Sequence, residues 1–147
     1  MAKFHFSMEK ILQVKKKLEK QKQLELGKAM QALNEGRLRL ESMEVHLYEA
    51  NEDFKIKIGS GRVHHLEIKS AHERIRYYHE SINEQKKEIQ SLEAKVEQAK
   101  DVLKKALQER KIFESLKEKA YEAYIEQEKI DEAKQLDEIV SYKYRNS

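Results

Sequence analysis

Aliphatic residues recur every seven positions through most of this chain, and the recurrence breaks at one place. From residue 68 the series runs Ile68, Ile75, Ile82, Ile89, Val96 and Leu103. Three positions after each stand Ala71, Tyr78, Gln85, Leu92, Ala99 and Ala106. An earlier series runs Leu26, Leu33, Leu40, Leu47 and Phe54, with Ala29, Gly36, Met43 and Ala50 three positions on. Such an alternation, sustained over several heptads, is the seam of a coiled coil, and Gly36 permits a close backbone approach within it. Between the two series lies Gly59-Ser60-Gly61, which reads as a helix stop and a turn. The chain has no proline among its 147 residues and only four glycines, with 39% apolar and 39% charged residues. A globular core needs about 45–50% apolar residues, and the turns of sandwiches, barrels and layered α/β folds use glycine, proline or asparagine. Those folds lack both core and turns here. The same composition would suit disorder, but the periodicity decides for long helices that bury a narrow seam.

The expected fold is all-α: an antiparallel two-stranded coiled-coil hairpin with an extended, overhanging second helix. It is expected as a single hairpin over 1–147, with helix one at about 7–57, a turn at 58–62 and helix two at about 63–140. At 1.5 Å per residue the helices are about 75 Å and 115 Å long. Folding about residue 61 sets Leu47 near Ile75, Leu40 near Ile82, Leu33 near Ile89 and Leu26 near Val96. Helix one then runs out opposite about residue 118, so 119–147 form an overhang and tail. Near the N-terminus a third register runs Phe4, Ile11 and Leu18, and the spacing from Leu18 to Leu26 is eight rather than seven, which predicts a slip of the seam there. Beyond Ala106 the second series loosens, because Arg110 and Lys117 occupy its positions.

Charge is clustered. Residues 1–23 hold seven lysines against two glutamates, and residues 122–138 hold seven acids against two lysines. Residues 55–79, the hairpin tip, hold six Lys/Arg against two Glu, plus four histidines. Solvated helix faces account for most of this, yet a basic tip and an acidic free end also suit different partners. Three of the histidines, His65, His72 and His79, stand two turns apart, about 10.5 Å, too far to share one ion. They are read as flanking the seam, with a pH-sensitive tip as the functional alternative. No metal site and no cofactor is expected. Cysteine is absent, which removes thiol chemistry and suits a reducing compartment. No phosphate-binding loop, nucleophile elbow or His-Glu-x-x-His is present, and the carboxylate pairs lack a pocket. No enzyme and no small-molecule substrate is expected. Lys15-Lys16-Lys17 has no aromatic stacking platform beside it, so nucleic acid is not an expected partner. Phe4, Phe6, Met8, Ile11 and Leu12 make an apolar face that closes the open end of the coiled coil or, alternatively, lies on a membrane surface. No apolar run spans a bilayer and the first residues lack a signal peptide's pattern, so a cytoplasmic setting is expected.

The free end is rich in apolar groups: Tyr121, Tyr124, Ile125, Ile130, Leu136, Ile139, Val140, Tyr142 and Tyr144 lie mostly beyond helix one's reach. Surface of this kind reads as a partner-binding or homodimerisation segment. The opening Phe-x-Phe-Ser-Met-Glu-Lys-Ile-Leu at 4–12, the Gly-Ser-Gly turn, and Glu128-Lys129 followed by Leu136-Asp137-Glu138-Ile139 carry a resemblance across essentially the whole chain. In them the chain resembles the FliJ-type flagellar export proteins. That resemblance implies an antiparallel coiled coil similar to the gamma-subunit stalk of rotary ATPases. It implies three partners: the hexameric flagellar export ATPase, the cytoplasmic part of the export gate protein, and export chaperones. It implies a cytoplasmic protein held peripherally at the inner face of the membrane through the export apparatus. On the ATPase side the expected contacts are Phe4, Phe6, Ile11, Tyr121, Tyr124, Asp137 and Glu138. On the gate side they are Met43, His46, Tyr48, Ala50, Tyr77 and Tyr78, several of which are also seam residues. The alternatives are the stalk of a related virulence secretion system and a dimeric coiled-coil scaffold unrelated to export.

Overall fold

The computed structural model describes residues 3–61 and 64–146, and among them there is no strand. Two long helices pack against each other as a hairpin: α1, Glu9–Gly59, and α2, His65–Arg145. The chain turns into α1 where the Glu9 amide donates to the Phe6 carbonyl at 3.1 Å and the Leu12 amide donates to Met8 at 3.0 Å. A glutamate in the first turn and lysine in the last both suit the helix dipole. The stop is made by Gly61, whose φ of 68° is left-handed and which donates to the Ile58 carbonyl at 3.3 Å. A side chain at this φ is strained, which is why glycine stands here. Ser60 ties the same turn down, its hydroxyl donating to the Lys57 carbonyl at 2.7 Å. Arg62, expected to close the turn, lies outside the described residues.

By packing, the chain divides into two compact units, Gln23–Val102 and Met1–Lys22 with Leu103–Ser147. Within Gln23–Val102 the helices run antiparallel, as the pairing of Arg37 with Glu93 and of Phe54 with His72 shows. Leu33, Ile89 and Val96 are buried together, with Leu26, Ala29, Leu40 and Leu92 packed around them. Every seam position from Leu26 to Phe54 on α1 and from Ile68 to Ala99 on α2 is buried or half-buried. The heptad count therefore located the interface residue by residue. At Gly36 an added Cβ would stand 2.9 Å from Leu92 Cδ1, so the absent side chain is what lets α2 approach. Gln85, also buried, donates its amide to the Gly36 carbonyl at 2.9 Å. This bond sets one register for the pair. A Gly36→Leu chain should lose about 1–3 kcal/mol to overpacking. Gly36→Ala should be near neutral, because about 1 kcal/mol of helix propensity offsets a small movement of the Leu92 tip. Urea denaturation of both variants checks this.

In the other unit the buried residues are Phe6, Leu12, Glu19 and Ala106. The expected register of Phe4, Ile11 and Leu18 does not hold: Ile11 is 44% exposed and Val14 60%, whereas Leu12 is 1% exposed. Leu12 and Glu19 stand fourteen and seven residues before Leu26, so the heptad count runs back without the predicted slip. Apolar residues alone hid it, because a glutamate holds the seam position. From 129 to 146 every residue of α2 is exposed.

Candidate partner-binding surfaces

Where the apolar seam is interrupted, charged residues of opposite sign meet across it. Arg110, at a seam position of α2, donates to the Glu19 carboxylate on α1 and, at 2.6 Å, to Glu114 one turn along its own helix. Lys15 Nζ lies 2.9 Å from Glu109 Oε2, and Lys117 Nζ lies 3.0 Å from Glu9 Oε2. The positions that read as a loosening seam are an ionic clasp. A legible signal was present: cations at seam positions of α2 stand opposite anions at the matching height on α1. The Glu19 contact holds the already basic Arg110 still further up in pKa. Phe113 adds its ring 6.0 Å from Lys15 Nζ.

The Glu9 carboxyl sits below its ordinary value of 4.5, held down first by a hydrogen bond from Gln13 and then by Lys117. Because the folded value is the lower one, Glu9 adds stability that is full above the ordinary value. That stability fades as pH falls through the folded value. Amide-exchange protection over 9–22 should therefore drop below about pH 4, and less of this acid loss should remain in Glu9→Gln.

On the clasp stands an aromatic cluster. The Phe4 ring meets Tyr121 edge-on at 5.2 Å and Tyr124 at 5.5 Å, with the two tyrosines 6.4 Å apart. Burial, and next Glu128, push the Tyr124 phenol up. An open furrow of about 440 Å³ runs beside the cluster between Phe4 and the α1 residues Leu12 and Lys16 on one side and Lys117 and Tyr121 of α2 on the other. Of the expected ATPase-side residues, Phe4, Tyr121 and Tyr124 are thus brought together and Ile11 is exposed nearby. Phe6, at 6% exposure, is packed inside. Asp137 and Glu138 are exposed further along α2.

Within Gln23–Val102, His46 stacks on Tyr78 at 5.9 Å and Tyr77 meets Tyr78 edge-on at 5.7 Å. His46, Tyr77 and Tyr78 form one patch. Tyr48 is exposed outside these ring contacts, Met43 is half-buried in the seam, and Ala50, at 3% exposure, is inside it. The tip histidines do not gather: His72 lies against Phe54 at 4.7 Å, and His65 and His79 are exposed. Among the described residues no group of three or more His, Cys, Asp or Glu could hold a metal ion. No described helix is long and apolar enough to cross a membrane.

These features define a class, the coiled-coil hairpin in which one helix continues past the other and carries exposed apolar side chains. The model of the flagellar FliJ protein family matches residues 4–147, and the chain belongs to that family, a component of the flagellar export apparatus. No curated protein and no solved structure matches it.

Proposed function

We propose that this chain is the stalk and coupling factor of flagellar protein export. Its open end, with the Phe4–Tyr121–Tyr124 cluster and the exposed run of α2, docks in the hexameric ring of the export ATPase. The patch of His46, Tyr77 and Tyr78 faces the cytoplasmic part of the export gate protein, and export chaperones are handed on along the same molecule. The chain performs no chemistry of its own, because nucleotide hydrolysis belongs to the ring. It acts at the cytoplasmic face of the membrane through these partners. The observation that carries this reading is the exposed run of α2 from 129 to 146, where Leu136, Ile139 and Val140 are each more than half exposed. Water-facing apolar surface of this extent is expected to have a partner.

The test compares the full chain with one ending after Glu128, both mixed with the purified export ATPase. The full chain should bind and stimulate hydrolysis. The shortened chain should bind at least a hundredfold more weakly while its thermal midpoint stays within a few degrees, because residues 129–146 are all exposed. Equal binding by both chains sinks the proposal. A stable homodimer through 119–147 in light scattering, with no ATPase binding, replaces it by a plain scaffold.

A further inference from the structure

The exposed run of α2 does not prolong the hairpin's seam. From Val96 to Tyr124 the positions turned away from α1 are polar, among them Lys104, Lys105, Gln108, Lys111 and Glu118, with Ile112 as the exception. Past Tyr124 the order inverts. The next seam positions are Gln127, Asp131, Lys134, Glu138 and Ser141, none of them apolar. Ile130, Tyr142 and Tyr144 flank these positions, whereas Ala133, Leu136, Ile139 and Val140 stand about 130–180° round the helix from the seam. All four are exposed. A helix waiting only for more of its own coiled coil would keep its apolar stripe in line with the seam.

We infer that residues 130–144 of α2 bind their partner through the face opposite the hairpin seam, in an apolar groove rimmed by lysine and arginine. Charge selects this occupant. Residues 130–144 carry four acids, Asp131, Glu132, Asp137 and Glu138, against Lys134 and Lys143, a net of −2, so a second copy would bring like charge to the same stripe. An anionic bilayer is opposed for the same reason. A basic-rimmed groove gains from that charge and covers Leu136 and Val140 in the helix-in-groove manner. The inference rests on the stalk reading for the identity of the partner, the export ATPase, but not for the face that is used.

Two full-length variants test it against the purified ATPase. Leu136→Glu should weaken binding at least tenfold, and Ser141→Glu, on the seam side, should stay within twofold of the unvaried chain. Both should keep its circular dichroism and melting, since both positions are exposed. Binding should fall steeply with salt. Equal loss in the two variants, loss in Ser141→Glu alone, no loss in either, or salt-independent binding overturns the inference. If the unvaried chain does not bind the ATPase, the stalk reading fails, and a photocrosslinking residue at 136 or at 134 in cells then decides the face. Crosslinks at 136 alone, to one identified protein and lost at high salt, sustain it. Crosslinks at 134 as strong as at 136, none at 136, or a product with a second copy of this chain overturns it.

Discussion

Replacing Leu12 by alanine should cost this chain about 2–5 kcal/mol, while the same change at its neighbour Ile11 should cost less than about 1 kcal/mol. Both are β- or γ-branched aliphatics in the first turns of α1, and composition cannot separate them. Burial does: Leu12 is 1% exposed and Ile11 44%. Truncating Leu12 leaves a cavity at a fully buried position beside Phe4, Lys117 and Tyr121. Truncating Ile11 returns a half-wetted side chain to water. The effect should appear first as lost amide-exchange protection over 9–22 and 103–118, because this stretch of the hairpin rests on few buried apolar residues. Equal losses at the two positions would restore the Phe4–Ile11–Leu18 register that the structure rejects.

That contrast marks where the fold was legible. From Leu26 to Phe54 and from Ile68 to Ala99 the seam is made of aliphatic and small residues, and counting by seven located each of them. Gly36 and the Gly59-Ser60-Gly61 turn were legible for a related reason, since close approach and left-handed backbone both demand glycine. Between Leu12 and Leu26 the count failed because Glu19 holds the seam position, and a search for apolar letters passes over a carboxylate. Its partner Arg110 was counted as a flaw for the same reason. Coiled coils place charge in the seam when an opposite charge meets it across the interface, and that pairing is a property of two segments at once. Of the candidate surfaces, the aromatic residues were legible by type and by region. Their grouping was not: Phe4 joins Tyr121 and Tyr124 only because the segment before α1 lies against α2, and Phe6, two residues away, turns inward.

The second large effect is expected at Arg110, and its sign depends on what is done to Glu19. Arg110→Met leaves Glu19, 9% exposed, facing an apolar side chain with no cation across the seam. An unpaired carboxylate held out of water costs far more than a surface pair is worth, so this variant should melt well below both Lys15→Met and Lys117→Met. Glu19→Met should be milder, because Arg110 keeps Glu114 one turn away at 2.6 Å and has a long stem with which to reach solvent. The double change to methionine at both positions should bring the midpoint back to that of the natural chain or above it. Two apolar side chains at facing seam positions bury area with no ion to desolvate. A thermal double-mutant cycle reads all four chains. Arg110→Met alone being silent, or the double variant being as unstable as the single, would remove the ionic clasp as an account of this end. If the double variant is the more stable one, then the natural pair is not there for strength. A charged layer tolerates one alignment of α1 on α2 and opposes its neighbours, since a shift by one heptad in either direction would set Arg110 against Leu12 or Leu26 instead of Glu19. At this end of the hairpin, alignment is then what the charged pair supplies, at the expense of stability.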